Sequence, residues 1–223
     1  MRQFLVIFLL AFFMWGCTTS KVIYAPVSDA ASIEPIPKKG FHKVKKGETI
    51  YAVAWRYGLD YRYVARRNQM TLPYRVHPQQ KIFLVGHPKK SLPPPVEKHE
   101  LNAPVKIWTW PAKGPLLNRF SDTNKGLNIG GQMNDAIFAT AGGRVVYSGD
   151  GLRNYGNLII IKHNSLYLSA YAHNSKLLVK EGDWVKPRQK IAEMGNSGTR
   201  RVMLYFEIRR SGKPVNPLEY LTN

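Results

Sequence analysis

The sequence predicts a small α+β module of βααβ order followed by a larger, mostly antiparallel β domain. Three observations carry this expectation. Ile50, Val53, Ala54 and Tyr57 recur at i, i+3, i+4 and i+7, the spacing of one helix face. A Pro-rich stretch with Pro88, Pro93, Pro94, Pro95 and Pro104 separates that region from the rest. From Ile107 onward, short apolar runs punctuated by Gly, Pro and Asn replace any helical period.

The chain opens on a short positive start, Met1-Arg2-Gln3, and an unbroken apolar run of ten residues, Phe4 to Phe13. Ten residues fall short of the roughly 20 that a transmembrane helix needs. They suit the apolar core of a secretory signal, which makes 1–16 a removable leader. Gly16-Cys17 directly after that core resembles a bacterial lipobox. The resemblance implies cleavage before Cys17 and acylation of it. Each buried CH₂ contributes about 0.8 kcal/mol, so several acyl chains would hold the protein on a membrane without a spanning helix. Cys17 is the only cysteine, which excludes an intramolecular disulfide. Thr18, not Asp, follows it; in Gram-negative lipoproteins this implies export to the outer membrane. Residues 17–40 are polar and broken by Pro26, Pro35 and Pro37, as in a lipidated tether.

In residues 41–86, Phe41 to Lys45 alternates as a short strand, and Gly47-Glu48-Thr49 breaks it. The first helix ends at Gly58. Asp60 is placed to cap a second helix whose buried side is Tyr61, Val64 and Ala65. Pro73 and Pro78 mark a loop before a closing strand in Lys81-Ile82-Phe83-Leu84-Val85. Together with His42-Lys43-Val44-Lys45-Lys46-Gly47-Glu48-Thr49-Ile50-Tyr51, this pattern resembles the LysM domain, a module that binds N-acetylglucosamine-containing glycans. The resemblance implies a shallow groove with Gly47, Glu48, Thr49 and Ile50 on one side and Thr71, Leu72, Pro73 and Tyr74 on the other. Tyr51, Trp55 and Tyr57 are expected in the core.

Residues 87–106 form a linker, since Pro-rich segments favour extended geometry at ~3.1 Å per residue. The domain at 107–223 begins after it. Ile137 to Gly149 reads as strand, Gly-rich turn, strand. Asn157 to Lys162 is a strand apolar on both faces, and Leu166 to His173 alternates again. Val179 to Val185 and Ile191 to Gly195 are expected to pair with each other around Pro187, and Met203 to Arg209 is the last strand.

Two stretches of this domain, Asn124-Lys125-Gly126-Leu127-Asn128 and Met203-Leu204-Tyr205-Phe206-Glu207, resemble the two metal-binding motifs of the lysostaphin/LytM-type zinc peptidases of peptidoglycan. In active members the motifs read His-x-Gly-x-Asp and His-x-His-Phe-Glu. The resemblance implies a folded-over sheet with an open groove along the former active site. It also implies that Asn124, Asn128 and Tyr205 stand at the three ligand positions, with Met203 in place of a fourth conserved His. Catalytic zinc needs about three nitrogen, sulfur or carboxylate ligands and an open position for water. Two neutral amides and a phenol, whose ordinary pKa is near ~10, serve that purpose poorly. Without the metal there is no bound water of lowered pKa to act as nucleophile. The histidines His42, His77, His87, His99, His163 and His173 are scattered and offer no replacement spacing. Tyr171-Ala172-His173 matches the segment whose His steadies the reacting oxygen in active members; alone, His173 is expected to be structural. The expected outcome is a degenerate groove that binds a peptide or helix, requires no cofactor and performs no hydrolysis. Arg200-Arg201 and Arg209-Arg210 are candidates to frame it.

The charge balance, 33 Lys and Arg against 14 Asp and Glu for a net +19, favours anionic polymers as neighbours, and the leader excludes nucleic acid as the natural one. The full order of lipobox, tether, LysM, linker and metal-free LytM domain resembles the NlpD-type murein hydrolase activators. That family implies an outer-membrane lipoprotein facing the periplasm. It implies binding to peptidoglycan glycan strands and activation of a periplasmic N-acetylmuramoyl-L-alanine amidase during septal splitting and daughter-cell separation. A purely tethering lipoprotein and a metallo-endopeptidase with unusual ligands are the alternatives.

Overall fold

A computed structural model describes residues 33–86 and 104–222. The leader, Cys17, most of the tether and most of the linker lie outside the described residues. The first module is built as the sequence predicts. β1 (Phe41–Lys43) pairs antiparallel with β2 (Lys81–Phe83), and α1 (Ile50–Arg56) and α2 (Tyr61–Arg67) lie between them in the chain. Each helix starts where a side chain satisfies a free backbone N–H: Thr49 Oγ1 accepts from the Ala52 amide, and Asp60 from that of Arg62. Ile50, Val53, Trp55, Val64, Ala65, Ile82 and Leu84 are buried among them.

The second domain is a strongly curved antiparallel sheet. Its strands are β3 (Leu116–Asn118), β4 (Leu127–Gly130), β5 (Ala136–Phe138), β6 (Gly143–Gly149), β7 (Asn157–Lys162), β8 (Tyr167–Leu177), β9 (Trp184–Val185), β10 (Lys190–Met194), β11 (Met203–Arg210) and β12 (Lys213–Val215). The main path runs β3-β4-β11-β8-β7-β6-β9; β10 joins β5 to β8, and β12 pairs with β11. β9 and β10 therefore do not pair with each other: β9 pairs with β6, and β10 with β5 and β8. The turn around Pro187 connects the edge strand β9 to β10, which lies between β5 and β8, a choice that local pattern does not encode.

Side chains alternate across this sheet. One face, with Leu127, Ile129, Val145, Ile159, Ile161, Tyr171, Leu204, Phe206 and Ile208, packs against the domain's own folded-over strands. The other face carries Leu158, Ile160, Ala170, Ala172 and Tyr205, and it is continuous with the core of the first module through α1 and α2. The α+β module sits on the sheet, which is why β7 is apolar on both sides.

The degenerate groove and the module docked beside it

The two motif strands meet as neighbours. β4 and β11 place Tyr205 opposite Asn128 and Met203 opposite Gly130. Across β11, Tyr205 faces Ala172 of β8. His173 follows at a bulge, where Asn157 to Ile159 of β7 oppose the longer run Asn174 to Tyr171 of β8. Its φ of 68° marks the irregularity, and such bulges re-aim a side chain. The His173 ring comes to 6.3 Å from that of Tyr205. The structure thus brings Asn128, His173, Met203 and Tyr205 into one place, with Asn124 on the loop before β4.

The groove is not open at its floor. Asn128, His173, Met203 and Tyr205 are only 0–2% exposed, while Asn124 is half-buried. Of these five residues, Asn124 is the one that reaches the surface.

At the three ligand positions, Asn124 Nδ2, Asn128 Nδ2 and the Tyr205 hydroxyl bond within the protein. Asn124 Nδ2 donates to the carbonyls of Arg119 (3.0 Å) and Gly126 (2.9 Å). Asn128 Nδ2 lies 3.3 Å from Met203 Sδ. The Tyr205 hydroxyl donates to Glu207 Oε2 at 2.9 Å. Burial first, and then the Glu207 charge, raises the Tyr205 pKa well above the usual phenol value, so it stays protonated. The zinc implied by the peptidase resemblance does not fit this donor set, and no group of three His, Cys, Asp or Glu stands ready to hold a metal among the described residues. His173 Nδ1 is 2.8 Å from the Ser197 carbonyl, which makes Nδ1 the protonated nitrogen of the neutral ring. Burial pushes the His173 pKa down against that bond. His173 Nε2 and Asn128 Oδ1 are buried and make no hydrogen bond within the protein.

Sequence reasoning missed the residues next along β11. Glu207 and Arg209 share the Tyr205 face and are 0% and 1% exposed. Arg209 Nε donates to Glu207 Oε1 at 2.6 Å, and its Nη1 donates to the Trp55 carbonyl at 2.6 Å. The guanidinium carbon lies 3.7 Å from the centre of the Trp55 ring. Arg209 is therefore not part of an exposed basic frame; Arg210 is exposed and Arg209 is a buried tie between domains. Burial raises the Glu207 carboxyl pKa, with Arg209 pulling it down. A polar or charged residue at every second position, Tyr205-x-Glu207-x-Arg209, was the available signal. It places all three on one face of a strand, but gives no hint that another module covers that face.

In the first module, the predicted glycan residues separate into two groups. Gly47, Leu72 and Pro73 are at the surface, with Leu72 43% exposed. Glu48, Thr49, Ile50 and Tyr74 are buried. Tyr74 packs edge-on to Tyr51 of α1 and Tyr61 of α2, tying its loop to both helices. Glu48 binds His42 Nε2 (2.6 Å), the Lys45 amide (2.8 Å) and Arg56 Nη2 (2.6 Å). Burial alone would raise its pKa; these partners hold it at about 2. Thr49 Oγ1 donates to the Val146 carbonyl (3.0 Å), and Arg56 Nη2 to that of Gly151 (3.1 Å), both in the other domain.

Comparison with known proteins agrees with this division. The pattern of the LysM domain matches residues 42–84, and that of Peptidase family M23 matches residues 122–217. The lipoprotein NlpD/LppB homolog of Pseudomonas aeruginosa is 40% identical over 230 residues, covering 82% of this chain and 77% of that protein. The murein hydrolase activator NlpD of Escherichia coli K12 is 36% identical over 264 residues, covering 83% and 70%. A crystal structure of a putative peptidase M23 from Pseudomonas aeruginosa superposes with a TM-score of 0.50 at 22% identity, covering 54% of this chain and 53% of that one; this likeness is one of fold.

Proposed function

Because this chain belongs to the NlpD family of murein hydrolase activator lipoproteins, we propose that it is a non-catalytic activator of cell-wall cleavage. In this reading the LysM module binds peptidoglycan glycan strands, and the degenerate domain engages a periplasmic N-acetylmuramoyl-L-alanine amidase. Acylated Cys17 holds the protein on the outer membrane, facing the periplasm, where it acts at the septum as daughter cells separate. The tether, module, linker and degenerate domain correspond to residues 17–40, 41–86, 87–106 and 107–223.

The observation that carries this reading is the fate of the former ligand positions. Asn124, Asn128 and Tyr205 are held in bonds to the protein itself, and none of these bonds prepares a metal. A site freed from metal chemistry leaves two buried acceptors, Asn128 Oδ1 and His173 Nε2, for an incoming donor. With Asn128, His173, Met203 and Tyr205 covered, a partner meets the rim first: Asn124 and the loop after β4, where Met133 is 46% exposed. On the LysM side, Gly47, Leu72 and Pro73 offer the glycan an accessible surface, while Glu48, Thr49, Ile50 and Tyr74 shape the loops from below.

Activation of this kind needs only a preference for the active form of the amidase. A differential of about 5.5 kcal/mol moves a two-state enzyme from 1:99 to 99:1. The test is a titration of the full chain into a fixed amount of amidase acting on dye-labelled peptidoglycan. A saturable rise in dye release is expected. A flat response across all ratios removes the activator reading and leaves a tether.

A further inference from the structure

The module and the degenerate groove share one face of the sheet, and a continuous run of contacts joins them. His173 packs on Tyr205 (6.3 Å between rings), and Tyr205 packs on Tyr155 (6.0 Å). Tyr205 donates to Glu207, Glu207 accepts from Arg209, and Arg209 donates to the Trp55 carbonyl at the end of α1. Further bonds cross the same boundary. Arg62 Nη2 donates to Ser211 Oγ at 3.1 Å, and Lys162 Nζ lies 5.1 Å from the Tyr61 ring centre. Glu207, Arg209 and Lys162 are covered in this arrangement. The module also covers Leu158, Ile160 and Ala170 of the sheet. The segment that connects the module to the sheet is the same one expected to touch glycan: Thr49 bonds Val146, and Arg56, held by Glu48, bonds Gly151.

We propose that this docked arrangement is a masked state, in which the LysM module covers the sheet face beside the degenerate groove, and that a glycan strand taking the Gly47–Ile50 loop releases it. The inference rests on the reading of residues 41–86 as a glycan-binding module. Glycan and sheet compete for one loop, so each weakens the other by the same factor. Release uncovers Tyr155, Glu207 and Arg209 next to His173 and Tyr205. The activator is thereby exposed only where it has found wall.

The turn between β11 and β12 provides a way to open the interface without touching either site. A Cβ at Gly212 would lie 2.5 Å from the Asp60 nitrogen and the Leu59 carbonyl carbon, which are module backbone. Gly212 has φ +81°, a conformation Asn tolerates better than other side chains. Gly212→Asn therefore wedges the domains apart. The experiment measures hydrogen exchange of segments 146–160 and 205–210 in the full chain and in G212N, each with and without a soluble N-acetylglucosamine oligomer. It also measures the affinity of each protein for that oligomer.

Saturating glycan is expected to raise exchange in both segments of the parent chain. G212N is expected to show raised exchange without glycan and to bind the oligomer more tightly. If the open form is about one-tenth populated in the parent, the gain is about tenfold. Glycan that saturates the parent without changing exchange overturns the masking proposal alone. So does G212N with raised exchange and unchanged glycan affinity. Absence of glycan binding by both proteins overturns the LysM reading and the proposal together. No amidase enters the experiment, so its outcome is separate from the activation test.

Discussion

Arg209 concentrates the energetics of this molecule. It is 1% exposed, paired with Glu207, and bonded to the backbone of another domain. Removing one member of such a pair strands the other as an uncompensated buried charge, at a cost of about 3–5 kcal/mol. Arg209→Ala is therefore expected to lower stability by that amount in chemical denaturation. The double variant E207Q/R209M, which removes both charges, is expected to recover most of the loss; equal destabilisation by both variants would contradict the ion-pair account. His163 makes a second prediction. Its ring lies between the Gly142 carbonyl (2.8 Å) and Ser169 Oγ (2.7 Å), and burial pushes its pKa down to about 4, against the Gly142 bond. The unfolded chain, with a His pKa near ~6.5, takes up the proton first as pH falls. Stability is thus full above about pH 6.5 and is lost progressively down to about pH 4, by about 3 kcal/mol for this one group. The denaturation midpoint is expected to fall across that window, and to fall less in H163Q. Neither role was legible in the sequence, where His163 is one of six scattered histidines and Arg209 one of 33 basic residues. The residue types at the ligand positions, Asn124, Asn128 and Tyr205, were legible there, because ligand identity is a property of residue type.

At the scale of elements, caps and periodicity carried the reading of α1 and α2. Asp60 accepts a first free amide as expected, and Thr49 does the same for α1. Thr49 has a second task that no local pattern reveals, its bond to Val146 in the sheet. Thr49→Ala is expected to cost about 1–2 kcal/mol, the ordinary value of a lost N-cap, and to loosen the docked module as well. Thr49→Ser, which keeps the hydroxyl, should retain both bonds and show neither loss; a thermal melt with exchange at residues 146–160 checks the two. The strand β7 shows the converse case. Its unbroken Leu158 to Ile161 run announced a strand buried on both faces, but not that the second cover is a different module. The pairings of β9 and β10 escaped for a similar reason, since both depend on how the sheet folds over on itself.

For the molecule as a whole, the order of modules was readable because each carries its own residue pattern. Their mutual seating was not, because Trp55 lies far along the chain from Lys162, Glu207 and Arg209, and each looks ordinary alone. The seating sets the loop at Gly47–Ile50 against the sheet that also carries Asn128, His173, Met203 and Tyr205. The central claim is that this sheet acts through a partner enzyme and cuts nothing itself. The most direct measurement is dye release from labelled peptidoglycan by the full chain, run alone, with added zinc, with a chelator, and with an N-acetylmuramoyl-L-alanine amidase. The account predicts no release by the chain alone, whether or not zinc is supplied, and strong release above the amidase's own level when both are present. Release by the chain alone, abolished by the chelator, would contradict it.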